Sequence, residues 1–266
     1  MKIILSRKGF DSTAGGSPSP VINNNFISLL IPDDKDSIYY KDLKTGDGTS
    51  FLDLMLKLGI KHFDENSKCH LDPDINKNVL TARVNTWKPT MGQIDRAQTH
   101  LKNQEVSEGD LFLFFGRFRK VENNKFVGAD FHAIWGYLQI GEIIKEPKLD
   151  DKSGLEYHPH YRPDRLKDAT NTIYVASEKL FFNKSLSGAG LLGFSEDLVL
   201  TKDGYSVSRW KLIDIFKNLK ITYHPDPIRD GYFQSACRGQ EFVIKDNEEK
   251  DAEKWVINLI KKYAKN

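Results

Sequence analysis

Leu111-Phe-Leu-Phe-Phe115 is an unbroken apolar run, and Gly109-Asp110 leads the chain into it. A run without polar alternation predicts a strand covered on both faces, at the centre of a sheet. Downstream, His132 to Ile144 alternates well enough to be a second strand, and Asn123-Asn124 supplies a hairpin-like turn between the two. Upstream, Ile3-Ile-Leu5 predicts a strand at the start of the chain. Thr172-Ile-Tyr-Val-Ala176 and Leu198-Val-Leu200 predict two more.

Helices are fewer. Ser50 with Asp53 makes a capping box. Phe51, Leu54, Met55 and Leu58 follow on one helical face, and Gly59 ends the helix. A second helix is predicted over Gln93 to Lys102. A third closes the chain, with Ala252, Trp255, Val256, Leu259, Ile260 and Tyr263 forming one apolar stripe. Ser187-Gly-Ala-Gly190 and Asp203-Gly204 read as turns, and charged, proline-containing Glu146 to Asp168 as a long loop. There is no regular βαβα alternation and no convincing linker. The expectation is an α+β fold, a mixed, strand-rich sheet with flanking helices, in a single composite domain over 1–266.

Composition narrows the function classes. The 266 residues are 39% hydrophobic and 29% charged, enough for a sizeable core. The formal net charge of +2 leaves no global polycation, so nucleic acid must be held by a local patch. Two cysteines, Cys69 and Cys237, make neither a disulfide framework nor a metal-type pair. With no apolar run of membrane-spanning length, the expected location is the cytoplasm, with no membrane partner. A monomer is the default expectation.

Five constellations carry candidate chemistry. Ser6-Arg-Lys-Gly-Phe-Asp-Ser12 with Gly15 and Gly16 places Arg7, Lys8, Asp11 and Ser12 in a glycine-bearing loop stiffened by Pro18 and Pro20, suited to a phosphate or nucleotide. Cys69-His-Leu-Asp-Pro-Asp74 offers His70, Asp72 and Asp74, for a metal, for base chemistry or for a turn with side-chain hydrogen bonds. Tyr157-His-Pro-His160 places His158 and His160 in the long loop. No third ligand is fixed by sequence, so no metal centre is assigned. Arg209-Trp210 pairs a cation with a stacking plane. Arg238-Gly-Gln-Glu-Phe-Val243 puts Gln240 and Glu241 at a strand mouth, where a glutamate can act as base or stabilise positive charge at an anomeric carbon. The set suits a phosphorylated, base-bearing substrate. Walker A, Rossmann, nucleophile-elbow and zinc-deaminase motifs are missing from the sequence, and no cofactor is indicated.

These blocks resemble a known family, the third type of nucleotide modification associated domain, whose members occur in phages and bacteria. The matching residues are Ser6 to Ser12 with Gly15-Gly16 and Pro18-Ser-Pro20, His70 to Asp74, Gly109 to Gly116, Trp135 to Gly141, His158-Pro-His160, Asn171 to Ala176 and Arg238 to Val243. At Leu30-Ile-Pro32 the chain departs from the family, where a proline is usual at the first position. Gly109-Asp110 and Gly136 to Gly141 are also similar to modified-base readers of the pseudouridine-synthase-and-archaeosine-transglycosylase type, which implies a small barrel-like central part. Gln240-Glu-Phe-Val243 is similar to the glutamate strand of DNA-targeting ADP-ribosyltransferases.

The resemblance implies a nucleotide or DNA substrate and, in one reading, an enzyme acting by group transfer or at a glycosidic centre. Glu241 then serves as charge stabiliser or base, Arg7 and Lys8 bind phosphate, and Asp11, His158 and His160 orient substrate. A second reading is a non-catalytic reader of modified bases with Trp87, Trp135 and Trp210 as an aromatic cage. A third is a partner subunit of a phage-defence or modification system.

Overall fold

The computed structural model describes residues 1–266 apart from 82, 84–85, 152–153, 156–157, 237–240, 246–249 and 266. A ten-stranded mixed sheet organises them. Its strands are β1 (Ile3–Arg7), β2 (Ser19–Ile22), β3 (Asn25–Phe26), β4 (Thr90–Gln93), β5 (Leu111–Glu122), β6 (Lys125–Lys145), β7 (Thr172–Ala176), β8 (Ala189–Leu191), β9 (Lys220–Ile221) and β10 (Glu241–Lys245). The main path runs β9-β10-β1-β5-β6-β7-β4. β8 adds to β6, and β2 pairs with β3 and β5. The helices are α1 (Phe51–Lys57), α2 (Asp95–Asn103), α3 (Asp214–Asn218) and α4 (Asp251–Tyr263). The α+β class read from the sequence is the one the chain adopts.

β5 is the buried centre that its apolar run predicts. Phe112 and Phe114 face one side, towards Tyr174 and Trp135, while Phe115 faces the other, towards Trp210 and Phe242. Residues 111 to 115 are all buried. At the β5–β6 turn Asn123 and Asn124 have φ of 50° and 58°, the left-handed pair that a two-residue hairpin requires. β1 lies between β10 and β5, antiparallel to the first and parallel to the second. α4 packs its apolar stripe against β1.

Three local readings change. Gln93 ends strand β4, because Thr90–Gln93 pairs with β7, and the helix begins at Asp95. Within Ser187–Gly190 the chain has already entered β8, paired with β6. Glu196–Leu198 is a 3₁₀ turn capped by Ser195, and only Val199 bridges to β6, at Ala133. The Ser50 cap, its Asp53 partner and Gly59 at the end of α1 stand as read. Cys69 is buried and free, and Cys237 lies outside the described residues.

The sheet curls without closing. Gln93 on β4 reaches Glu241 on β10, although β1, β5, β6 and β7 lie between those strands in the order. Closure into a barrel needs a backbone ladder between β4 and β10. The outer edge of β10 is already taken by β9, and Thr90 of β4 bridges to Asp74. The edges therefore meet through side chains, and the described residues form no closed barrel. No helix of the described residues is long and apolar enough to cross a membrane.

The outer face of β1 and β5 carries a titratable group of its own. His132 accepts a hydrogen bond at Nδ1 from the Trp210 indole at 3.1 Å. Burial, and then the Arg7 and Arg117 guanidinium groups, push its pKa down to about 3. A histidine depressed in the folded state stabilises the fold above its ordinary pKa, and that stability is lost as pH falls through the window down to about 3. The melting temperature of the wild type should fall on acidification between roughly pH 6.5 and 3. His132→Gln should remove a part of that fall on the order of 2 kcal/mol, because residual exposure of the ring dilutes the burial penalty. Thermal melts of both proteins across this range measure the difference.

Candidate functional site

Strand alternation decides what β1 delivers. Ser6 and Lys8 share a parity and point into the curl of the sheet, while Arg7 points to the outer face. Ser6 lies opposite Glu241 in the β1–β10 ladder, so their side chains meet, and Ser6 Oγ donates to Glu241 Oε1 at 2.9 Å. Gln93 Nε2 donates to the same oxygen at 2.8 Å. The other oxygen, Oε2, is buried without a hydrogen-bond partner among the described residues.

Two residues along, Lys8 Nζ is 2.9 Å from Asp72 Oδ2 and 4.0 Å from Glu241 Oε1. One ammonium thus stands between two buried carboxylates. Asp72 Oδ1 accepts the Gly92 backbone N–H at 2.7 Å. Lys8 has its pKa raised, since the attraction of Asp72 and Glu241 outweighs the burial that lowers it. Burial would also raise Asp72, but Lys8, followed by the neighbouring histidines, holds that carboxyl well below the usual range. Glu241 goes the other way. Burial raises it, Asp72 adds to the rise, and Lys8, Ser6 and Gln93 reverse it only in part. Two carboxylates sharing one lysine are therefore pushed apart in acidity, an arrangement used in acid–base chemistry.

Three histidines surround Asp72. His160 Nδ1 lies 2.6 Å from Asn171 Oδ1, and Asn171 Nδ2 donates back to the His160 carbonyl at 2.9 Å. Burial, and after it the other two histidines, take the His160 pKa well below the ordinary value, so its ring is neutral. His158 Nδ1 accepts the His160 N–H at 3.3 Å, and its Nε2 stands 3.5 Å from Asp72 Oδ1, at the limit of hydrogen-bond reach. His70 Nδ1 is 2.7 Å from Asp36 Oδ2, and Arg162 Nη1 clamps Asp36 and Asp33 at 2.8 and 2.9 Å. Ring nitrogens of His70 and His160 and a carboxylate oxygen of Asp72 all lie within 4.8 Å of one another, so these residues could hold a metal ion.

The structure brings together Lys8, His70, Asp72, His158, His160 and Glu241 and separates the rest of the predicted set. Arg7 pairs with Asp11 at 3.9 Å on the outer face. The Asp11 carboxylate accepts from Thr13 N, Thr13 Oγ1 and Ala14 N, so it serves its own turn, and Ser12, Gly15 and Gly16 belong to the same surface loop. Arg209 is exposed over the Tyr232 ring, and Trp210 is wholly buried among Phe115, Phe216 and Phe233. Beyond Pro73 the chain changes direction, and Asp74 leaves the cluster for Arg83 and the Trp87 indole. Arg238 and Gln240, like Tyr157, lie outside the described residues. Gln93, Asn171, Asp36 and Arg162 are members that sequence reading does not assign to the site, and Ser6 enters it only as part of the N-terminal loop. The i, i+2 relation of Ser6 to Lys8 in a strand was the one available signal.

Leu71, Pro73, Asp74 and Ile75, which flank Asp72 in sequence, line a cleft of about 580 Å³ together with Trp135 and with Lys44, Lys57 and Lys77. The segment thus contributes Asp72 to the buried cluster and its neighbours to an open cleft. The Trp135 indole nitrogen is buried without a partner among the described residues.

The cluster also fixes one glycine. A Cβ at Gly92 would fall 2.2 Å from Cδ2 of the His160 ring, whereas one at Gly46 would meet nothing within 4 Å. Gly92→Ala should therefore displace the ring and destabilise the protein by about 1–3 kcal/mol. Gly46→Ala should change stability by no more than about 0.5 kcal/mol. Denaturant melts of the two variants check this contrast.

Comparison with known proteins places the chain. Searches of curated proteins and of solved structures each returned no match. The sequence model of the family described as nucleotide modification associated domain 3 matches residues 2–245, a span that holds β1 through β10 and every member of the buried cluster. The chain belongs to the nucleotide modification associated domain 3 family.

Proposed function

We propose that this protein is an enzyme acting on a modified nucleotide or on a base in DNA, by group transfer or at the glycosidic centre. Association with nucleotide modification is what the family's description gives, and the chemistry is our reading of the cluster. The observation that carries it is the Glu241 carboxylate. Ser6 and Gln93 fix one of its oxygens, and the other is buried and unengaged among the described residues. A preoriented carboxylate away from water is suited to stabilise positive charge growing at an anomeric carbon, or to take a proton. Lys8 and Asp72 hold it in place, and His158 and His160 orient the substrate. Lys8 is committed to two carboxylates, so in this reading it tunes the site rather than binding phosphate. The cleft beside the Asp72 segment, with Trp135 in its wall and four lysines, Lys44, Lys57, Lys77 and Lys265, against Asp47 and Asp74, supports a base-bearing, anionic substrate.

A second reading, a non-catalytic reader of modified bases, has its own observation behind it. Glu241 is only 1% exposed, while a cleft of about 580 Å³ opens beside the Asp72 segment with Trp135, itself 4% exposed, in its wall. A reader would use the cleft and leave the cluster as structural polar packing. The role of a partner subunit in a phage-defence or modification system has less support, because Lys8, His70, Asp72, His158, His160 and Glu241 gather in one buried cluster, although Arg7, Asp11, Ser12, Arg209 and Trp210 lie apart from it.

Mass spectrometry of nucleosides separates these readings. Purified protein is incubated with plain DNA, phage-modified DNA and free nucleotides, with wild type and Glu241→Gln side by side. The expected result is a mass change in the wild type that falls at least a hundredfold in the variant. Thermal stability of the variant should be unchanged or raised, since a buried charge has been removed. Retained turnover in Glu241→Gln would overturn the assignment. No mass change, with selective binding to one DNA that Trp135→Ala abolishes, would establish the reader.

A further inference from the structure

We infer that His70, Asp72 and His160 form a binding site for one divalent transition-metal ion of the zinc class. The inference deepens the reading above and rests on the same cluster being a working site.

The donor set makes the first argument. Two imidazoles and one carboxylate supply nitrogen and oxygen ligands, which suit zinc or iron and are a poor match for magnesium or calcium. The three ligand atoms lie within 4.8 Å of one another. Around a metal with bonds of about 2.0–2.2 Å, two ligand atoms stand roughly 3.3 Å apart in a tetrahedron and about 4.3 Å apart when opposed. The proposal requires side-chain rotations that close the observed triangle to that size. Three protein ligands leave a position open for water or substrate, as catalytic sites of this class do.

The supporting shell makes the second argument. Nδ1 of His70 faces Asp36 Oδ2, and Nδ1 of His160 faces Asn171 Oδ1, both at hydrogen-bond distance. Each acceptor places the ring proton on Nδ1 and leaves a lone pair on Nε2, as carboxylate–histidine–metal arrangements require. Among the described residues neither Nε2 makes a hydrogen bond. Arg162 anchors Asp36 in turn. The same clamp occupies the alternative group of Asp33, Asp36 and His70, which therefore acts as support.

A third observation is His158. Its Nε2 stands 3.5 Å from Asp72 Oδ1, at the limit of hydrogen-bond reach, and is buried with no closer partner among the described residues. A water bound beside Asp72 would give that nitrogen a closer partner. Lys8 does not block the site. It takes Oδ2 of Asp72, and Oδ1, which accepts only the Gly92 N–H at close range, keeps a further lone pair.

The test uses the full chain stripped with a chelator. Titration with zinc chloride, followed by calorimetry, should show one ion per chain, and magnesium chloride should give no binding at equal concentration. Cobalt(II) should give the electronic absorption of a nitrogen- and oxygen-ligated ion. His70→Ala and His160→Ala should each weaken zinc binding at least tenfold. Nitrogen NMR of wild-type histidines provides a second readout that does not depend on the variants folding. Zinc should shift the Nε2 signals of His70 and His160 and leave His62 and His100 unmoved. No zinc uptake by the wild type, uptake that perturbs only other histidines, or equal magnesium binding would each overturn the inference. Metal binding without nucleotide turnover would sink the catalytic reading alone, and nucleotide turnover by a chain that takes up no zinc would sink the metal site alone.

Discussion

The Lys8 ammonium between Asp72 and Glu241 is the constraint on which the rest of this protein turns. Neither carboxylate is stable in the interior alone, because an isolated buried charge costs several kcal/mol. One lysine answers both, at 2.9 and 4.0 Å. The partners come from three parts of the chain, β1, the 70–74 segment and β10, so the charge balance also fixes how these parts sit. Removing Lys8 would leave two like charges facing each other, and breaking a buried pair of this kind typically costs about 3–5 kcal/mol.

Around that triad the fold supplies matched roles. Strand parity sends Ser6 and Lys8 inward and Arg7 outward. The ladder sets Ser6 opposite Glu241, and the curl brings Gln93 from the far edge to the same oxygen. The histidines are positioned by Asn171, Asp36 and the bare backbone of Gly92, none of which belongs to the charged triad. The polar interior is thus a network in which most members hold others in place, and among the described residues Glu241 Oε2 and His158 Nε2 are two atoms of the cluster that it leaves without a close partner.

Sequence reading recovered what local patterns encode. The apolar run in β5, the Asn123-Asn124 turn, the Ser50 cap and the stripe of α4 are short-range signals, and each appears where expected. Histidines, Asp72 and Glu241 were legible as chemistry because such residues are uncommon beside strand and turn signals. Their partners were not. Gln93 looked like the start of a helix, since nothing local reveals that residues 90–93 pair with β7. Arg7 and Lys8 read as one cationic loop, but β1 runs to Arg7 and Lys8 N–H still bonds to Phe115 O, which sends the two side chains to opposite faces. Asp74 followed His70 and Asp72 by simple periodicity, and the turn of the chain at Pro73 broke it. What stayed hidden is contact between residues distant in sequence.

That distance has a consequence for how the molecule is made. Ser6 and Glu241 are separated by 235 positions, and Gln93 and Glu241 by 148. During synthesis the first strand leaves the ribosome long before its antiparallel neighbour exists. Until β10 arrives, β1 exposes one unpaired edge and Lys8 has only Asp72 to answer it. Contacts of such long sequence separation slow folding and prolong exposure of strand edges. The polar interior is therefore a late-assembling lock, and a chain interrupted before residue 241 would carry its histidines and Lys8 but no completed centre.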